Sequence, residues 1–311
     1  MRRLTRTVRS AHRHGIDRRR NAFALLTTIL LITFLTAIVA QLVTVTSTES
    51  VIVARRAQTV EHDLAVDSVL LLLADTLAET DGRRSSLIEQ LDRAGRARIA
   101  FDIGRVKVRC VLRDDAARFN PQLFQRPDQW VQLERKLRTL TARRSLPSAT
   151  VNLKPVRTAD QSESRPLYLW YDQILSDVEP GSLFRWHEGS ETRVDDPVWS
   201  DAVTFWGDGR IDLRRVDAEV LEVALEDIRP GLAKILLSAR PADPSVEFIQ
   251  SAMVGIDAEI RERVAARITF DTRRYAISIE TSIGADRRRW YVVARINDDD
   301  TTIYHRSRLT W

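Results

Sequence analysis

Residues 23–45, FALLTTILLITFLTAIVAQLVTV, limit what this chain can become more than any other stretch. No charged residue occurs between Arg20 and Glu49, and Leu, Ile, Val, Ala and Thr dominate the interval. About 20 such residues in a helix cross the hydrocarbon layer of a bilayer, so this run is long enough to span one. The charges flanking it lie on one side only. Arg18, Arg19 and Arg20 abut the run, backed by five more Arg between Arg2 and Arg13. An excess of cations on one flank holds that flank in the cytoplasm, which places residues 1–20 inside and the bulk of the chain outside.

The same arginines account for the overall basicity. Residues 1–22 hold eight Arg and one Asp, a net charge of +7, so of the formal +5 about −2 is left for everything beyond. A nucleic-acid module carries its basic face on the folded domain, and here the remaining charges are mixed in sign, so no nucleic-acid partner is expected. The single cysteine excludes an intrachain disulfide. In RVKVRCVLRDD, Val106, Val108, Cys110 and Leu112 alternate with charged positions, which reads Cys110 as a small buried hydrophobe on a strand. The five His, at 12, 14, 62, 187 and 305, show no metal-ligand spacing. There is no Walker A loop, dinucleotide fingerprint, nucleophile elbow or Cys/His pairing, so no catalytic residue is assigned and no enzyme is expected.

Three readings of the apolar run compete. A secretory signal peptide would be cut after Ala37-Ile38-Val39-Ala40, but the apolar pattern continues past Ala40. A plain single-pass anchor fits the run as it stands. The third reading comes from the junction RRRNA|FALLT, which resembles the leader junction of type IV pilin-like proteins, cut before the apolar stretch by a prepilin peptidase. In that pattern a small residue, usually Gly, precedes a hydrophobic first mature residue; Ala22 and Phe23 fill those places, with Ala departing from Gly. The resemblance implies cleavage between Ala22 and Phe23, N-methylation of Phe23, and packing of Phe23, Ala24, Leu25, Leu26 and Thr27 among neighbouring helices. The fifth mature residue is normally Glu and here is Thr27. A carboxylate in hydrocarbon is costly unless paired, and a subunit at a filament tip has no neighbour ahead to pair with it. Lack of this Glu characterises the K-type minor pseudopilin of type II secretion, which FALLT resembles.

The helical pattern continues beyond the run. No Pro or Gly occurs from Val51 to Leu77, and Val53, Ala57, Val60, Leu64 and Leu71 fall at helical spacing, which predicts the stripe a domain would cover. Anchor and continuation together make about 55 residues, roughly 80 Å of helix. Leu70 to Leu73 is expected to be a buried core contact. DGRR at 81–84 breaks the helix, a short helical segment follows over 85–97, and a strand is expected over 101–113.

Two further segments resemble the same family. In LRDDAARFNPQLF, Asp114, Arg118, Phe119 and Asn120 match its first conserved segment. In WGDGRIDLRRVDAEVLEVAL, Gly207, Gly209, Ile211 and Leu213 match its second, and Val220, Leu221, Ala224 and Leu225 follow it without gaps. Physically the second segment is a Gly-rich turn, a short strand and a helix capped by Asp217. Between the two segments, Trp130, Leu133, Leu137 and Leu140 predict one helix capped by Asp128. A Pro/Ser-rich connector follows, then a second short helix closed by Pro180-Gly181. Helices are expected around 231–239 and 244–265. Tyr275, Ile277 and Ile279, a turn at Gly284-Ala285-Asp286, and Trp290, Val292 and Ala294 then read as a closing hairpin.

The expected fold is therefore α+β: a pilin-like long N-terminal transmembrane helix packed on an antiparallel sheet domain, with a helical insertion. Its parts are a leader (1–22), a transmembrane helix (23–46), an amphipathic continuation (47–80), a pilin-like domain (81–124 and 205–300), a mostly helical insertion (125–204) and a tail (301–311). The resemblance implies a non-enzymatic subunit of a type II secretion system in the bacterial inner membrane, single-pass, with its bulk in the periplasm. Implied partners are other minor pseudopilins, the major pseudopilin, the prepilin peptidase and the inner-membrane secretion platform. No cofactor is required, although the resemblance allows calcium near Asp195, Asp196 and Asp201. A minor pilin of a type IV pilus, and a bitopic membrane protein with a periplasmic binding domain, are the alternatives.

Overall fold

The computed structural model describes residues 4–77, 86–124, 129–151, 171, 174–178, 180–184, 197–207, 209–241, 245–270, 273–297 and 301–309. The chain divides into two units, residues 1–61 and 62–311. Helix α1 (Leu4–Leu77) runs through the first and supplies the opening residues of the second. Within the first unit, every side chain from Phe23 to Ala57 is exposed. The helix from Phe23 is the one long and apolar enough, among the described residues, to cross a membrane.

In the second unit, α1 lies on a five-stranded antiparallel sheet whose strands lie side by side in the order β1 (Arg96–Ile103), β2 (Val106–Asp114), β7 (Arg274–Ile283), β8 (Asp286–Ile296) and β9 (Thr301–Leu309). After α2 (Ser86–Ala94), β1 (Arg96–Ile103) and β2 (Val106–Asp114) form a tight hairpin. Its turn uses Gly104 at a φ of 58°, a left-handed conformation that glycine adopts at little cost. The single strand expected over 101–113 is therefore two strands, because the Gly-Arg pair turns the chain back. The alternation in β2 holds, and Val106, Val108, Cys110 and Leu112 are all buried. Burial pushes the Cys110 thiol up to about 12, so it stays protonated and inert.

A 3₁₀ turn (Pro121–Phe124), α3 (Trp130–Arg144), β3 (Thr150–Val151), β4 (Leu175–Ser176), α4 (Pro180–Leu183) and α5 (Trp199–Ala202) follow. Leu133, Leu137 and Leu140 are buried as the spacing demands. Asp128 lies outside the described residues, and Gln129 occupies the N-cap position. The helix expected to close at Pro180-Gly181 is corrected. Leu175 and Ser176 pair with Val151 and Thr150 as strands, and Pro180 opens α4, in keeping with the fixed φ that suits proline to a first turn.

Then come β5 (Ile211–Asp212), α6 (Ala218–Leu225), α7 (Leu232–Ala239), α8 (Val246–Ala252), α9 (Ala258–Arg267) and β6 (Ile268–Thr269). The expected helix over 244–265 is two helices, broken at Gly255, with the Asp257 carboxylate capping α9 by accepting from Glu259 N at 2.8 Å. Asp217 sits at the N-cap of α6, its carbonyl accepting from Leu221 N at 3.0 Å, but its carboxylate makes no cap bond and pairs with Arg144 instead. The predicted closing hairpin is present as β7 (Arg274–Ile283) and β8 (Asp286–Ile296). Residues 301–309, read as tail, form β9 (Thr301–Leu309), the fifth strand, hydrogen-bonded along β8 with a bulge between Val293 and Ala294.

Two cores flank the sheet. On one face α1 contributes Ala65, Val66, Val69, Leu70, Leu73 and Leu77 to a cluster with Cys110, Ile277, Ile279, Trp290 and Val292. At about 1.5–3 kcal/mol for each fully buried large apolar side chain, this seam supplies much of the hold of the helix on the sheet. On the other face Ala276, Tyr291 and Val293 join Phe119, Phe205, Leu221 and the remaining helices. The expected stripe on α1 is overturned: Val53 is 64 % exposed, Val60 56 %, Leu64 59 % and Leu71 72 %, and Ala57 is exposed as well. The seam against the sheet is the set spaced at 66, 69, 70, 73 and 77, which fits a helix period equally well. Of the Leu70–Leu73 run, Leu70 and Leu73 are buried and Leu71 and Leu72 face outward.

Candidate functional site: an exposed apolar helix and a buried polar node

The residues around the arginine–apolar junction lie within α1. Phe23, Leu25 and Leu26 are exposed large hydrophobics, and Ala24 and Thr27 are exposed beside them; of Ala22 only its place in the helix is described. The Thr27 hydroxyl donates to Phe23 O at 2.7 Å and to Ala24 O at 3.0 Å. Thr28, Thr33, Thr36, Thr44 and Thr46 each donate to the carbonyl four residues back at 2.8 Å. Every threonine hydroxyl from residue 27 to 46 is thus satisfied inside its own helix. In hydrocarbon an unpaired polar group costs several kcal/mol, so a helix that satisfies itself tolerates both lipid and apolar neighbours.

The residues of the two other motifs come together at the far end of β2. Asp114 accepts from Ala116 N and from Arg215 Nη1, each at 2.9 Å, and Arg215 reaches Asp92 at 2.7 Å. Arg118, 3 % exposed, pairs with the fully buried Asp115 and donates to Ser200 O at 2.6 Å and Tyr291 Oη at 3.0 Å. Asp115 also accepts from Thr204 Oγ1 at 2.6 Å and Arg274 Nε at 2.8 Å. Phe119 bridges Val203 in parallel, with its N donating to Ala202 O and its O accepting from Thr204 N. Asn120 donates to Trp206 O and accepts from Gln122 N, both at 2.9 Å.

The second motif locks onto the first. Asp212 N donates to Ala116 O at 2.8 Å, and Ile211 and Leu213 are buried beside it. Gly207 and Gly209 have φ of 93° and 83°, and neither has room for a side chain. A Cβ on Gly207 would overlap the Arg274 guanidinium, and one on Gly209 would sit 2.9 Å from Leu123 Cδ2. Glycine is required here by conformation and by close approach together. Nothing in the local sequence marks Arg274 or Thr204 as partners of Asp115. The signal that could have marked Asp115 is a second carboxylate inside a stretch that is otherwise burying itself.

This node is structural chemistry: Asp114, Asp115 and Arg118 are buried and each pairs with an opposite charge, with Arg274 half-buried and Asp92 exposed at the rim. Of the three acidic positions named for calcium, Asp201 alone is among the described residues. Asp195 and Asp196 lie outside the described residues, and the Asp201 carboxylate pairs with Arg113. Among the described residues no group of three His, Cys, Asp or Glu is placed to hold a metal ion.

His62, the first residue of the second unit, is fully buried between α1 and the β7–β8 hairpin. Its Nδ1 lies 2.6 Å from Thr281 Oγ1, its Nε2 3.3 Å from the Asp286 carboxylate, and its ring centroid 6.1 Å from that of Trp290. Burial lowers its pKa below the ordinary 6.5; Arg288 and Arg308 push the same way, while Asp286 opposes. Burial lowers that of His305 as well. A base whose pKa is lower folded than unfolded takes up protons on unfolding below pH 6.5, so stability present at neutral pH is lost as the pH falls through that value. Unfolding followed at about pH 7.5 and about pH 5 is expected to show a drop in stability. His62→Gln should shrink that drop, leaving the part due to His305; an undiminished drop would show that His62 does not contribute.

No family model matches the chain, and no curated protein matches it. Three chains of solved structures match. One, in the crystal structure of the GspK–GspI–GspJ complex from the enterotoxigenic Escherichia coli type 2 secretion system, is 12% identical with a TM-score of 0.47, and the match covers 83% of this chain and 99% of that one.

Proposed function

We propose that this chain is a K-type minor pseudopilin of a type II secretion system, a non-enzymatic subunit that caps the periplasmic tip of the pseudopilus and supports protein export. The observation that carries this reading is the FALLT start of the apolar helix, with an uncharged, internally bonded Thr27 where pilin-like proteins place a Glu. A tip subunit has no neighbour ahead to neutralise a carboxylate, and a lone carboxylate in hydrocarbon costs several kcal/mol. The chain would lie in the bacterial inner membrane with its N-terminus in the cytoplasm. A prepilin peptidase would cut it between Ala22 and Phe23 and Phe23 would be methylated. Its helix would then assemble beside other minor pseudopilins and the major pseudopilin on the secretion platform. Two further supports are the exposure of the helix from Phe23 onward and the interlocking of the two motif segments in one node.

Intact-mass and N-terminal peptide spectrometry of the protein purified from bacterial membranes tests this. A mature chain that begins at Phe23 and carries one extra methyl group is expected. A chain that begins at Gln41, or one that retains Met1, overturns the reading, the first in favour of a secretory signal and the second in favour of a plain anchor.

A further inference from the structure

His62 is the first fully buried residue of α1; every side chain from Phe23 to Glu61 is exposed or partly exposed. It is held by the two residues that flank the β7–β8 turn, Thr281 near the end of β7 and Asp286 at the start of β8. The apolar seam begins only at Ala65, and before it Asp63 is partly open and Leu64 exposed. With the Thr281 hydroxyl donating to Nδ1 at 2.6 Å, the neutral ring carries its proton on Nε2, which faces the Asp286 carboxylate at 3.3 Å. A second proton has to enter on Nδ1, where it meets an oxygen that already gives its hydrogen to that nitrogen. Thr281 is fully buried and makes no second side-chain hydrogen bond among the described residues, so its hydroxyl would lose its acceptor. Charge opposes the proton too. Asp286 is already paired with Arg288 at 3.1 Å, and Arg308 of β9 adds a second cation. These three are the charged groups that bear on the ring from the strands packed against it, and protonation would set three cations around one acid.

We propose that His62 is an acid-released clasp: when its ring takes up a second proton, the first turn of α1 in the second unit lets go of the β7–β8 turn while the sheet behind it stays folded. The closed clasp binds fewer protons than the open one, as the lowered pKa of the ring also indicates. It is therefore tight above pH 6.5 and loosens progressively below. The seam from Ala65 to Leu77 is apolar and indifferent to pH, which confines the opening to the entry turn. His305 has no part in it, because its ring stacks on Trp206 in the other core. The device goes beyond the loss of overall stability in acid, since it opens one contact at a pH where the domain is still folded. It does not depend on the secretion assignment.

Hydrogen exchange of the full-length chain in neutral detergent tests this, read by mass spectrometry at pH 7 and pH 5.5 and corrected for the intrinsic rate at each pH. Peptides covering residues 62–69 and 281–288 are expected to be less protected than β2 at both pH values. Their protection should fall up to about eightfold at the lower pH, the effect of one proton taken up with a pKa of 6.5 in the open state. Small additions of urea should leave that exchange unchanged, because a local opening exposes little surface. In His62→Gln the fall should vanish. In Arg308→Gln, a change at an exposed position, it should be smaller than in the parent, because the proton then meets one cation fewer. If His62→Gln does not fold, Arg308→Gln decides alone. The proposal is overturned if the two segments are as well protected as β2 and open only with it, which makes the opening global. It is overturned equally by a fall that persists in His62→Gln or is undiminished in Arg308→Gln.

Discussion

Asp115→Ala is expected to cost the folded domain about 3–5 kcal/mol, which for a domain of ordinary stability means little folded protein at 37 °C. The carboxylate is fully buried and takes Arg118, Arg274 and Thr204 as partners. Its loss leaves Arg118, itself 3 % exposed, with only neutral acceptors at Ser200 and Tyr291. The cost comes from that stranded cation more than from the bonds themselves, so Asp115→Asn, which retains an acceptor without the charge, should also be strongly destabilising. Urea unfolding followed by near-UV circular dichroism measures this. Asp102→Ala is the comparison: that residue is exposed, and the change should move stability by no more than about 0.5 kcal/mol. Equal effects of the two substitutions would show that the node is not what holds the motifs together.

The second large effect lies at the junction of α3, α6 and α9. Lys136 is fully buried and points at the end of α6, donating to Val223 O and pairing with Asp227 at 2.9 Å. Asp227 also receives a two-pronged contact from Arg267 at 2.6 and 2.7 Å, and Arg267 Nη1 bonds Ala224 O at 2.6 Å. Both cations therefore satisfy carbonyls at a helix C-terminus, where positive charge is favoured. Burial would raise the Asp227 carboxyl, but hydrogen bonds from Arg267 and Lys136 hold it far below the usual carboxylate range. Asp227→Ala should cost about 3–5 kcal/mol by leaving the buried Lys136 ammonium, which lies against the Phe124 ring, with only the more distant Glu226 carboxylate at 3.9 Å. Lys136→Met in the same chain should recover most of that loss, because a flexible apolar side chain of similar length fills the space without a charge. Arg267 remains partly open to water and needs no such rescue. A double-mutant cycle would then show strong coupling between positions 136 and 227; simple additivity would refute this account.

How far these features can be read from sequence follows from the range of the interactions that make them. The alternation of β2 and the hairpin β7–β8 were legible because period two is written within each strand. The α3 stripe was legible because residues 133, 137 and 140 sit on one side of one helix. Helix α1 shows the limit. Two apolar stripes of helical period lie on it, and periodicity alone does not say which meets the sheet. That choice depends on Trp290, Ile277 and Val292, more than 200 residues away. The same holds for residues 301–309. Thr301–Leu309 mixes Arg, Thr, Ser and His with little apolar alternation, and it becomes a strand because β8 offers an unpaired edge.

The motif residues divide along the same line. Asp114, Asn120 and the two glycines stood out because each makes or permits a local turn that its neighbours announce. Asp115 gives no local sign of its role: its partners come from positions 118, 204 and 274, and only folding brings them to one carboxylate. What this sequence determines by itself is the uncharged run after the arginines, the threonine at position 27 and the strand and helix periods, all of which arise from contacts within a few residues or with a solvent. Which face of α1 is covered and which carboxylates are sealed in were decided by the tertiary structure. Those outcomes depend on desolvation and register between segments far apart in the chain, and no local window contains both partners.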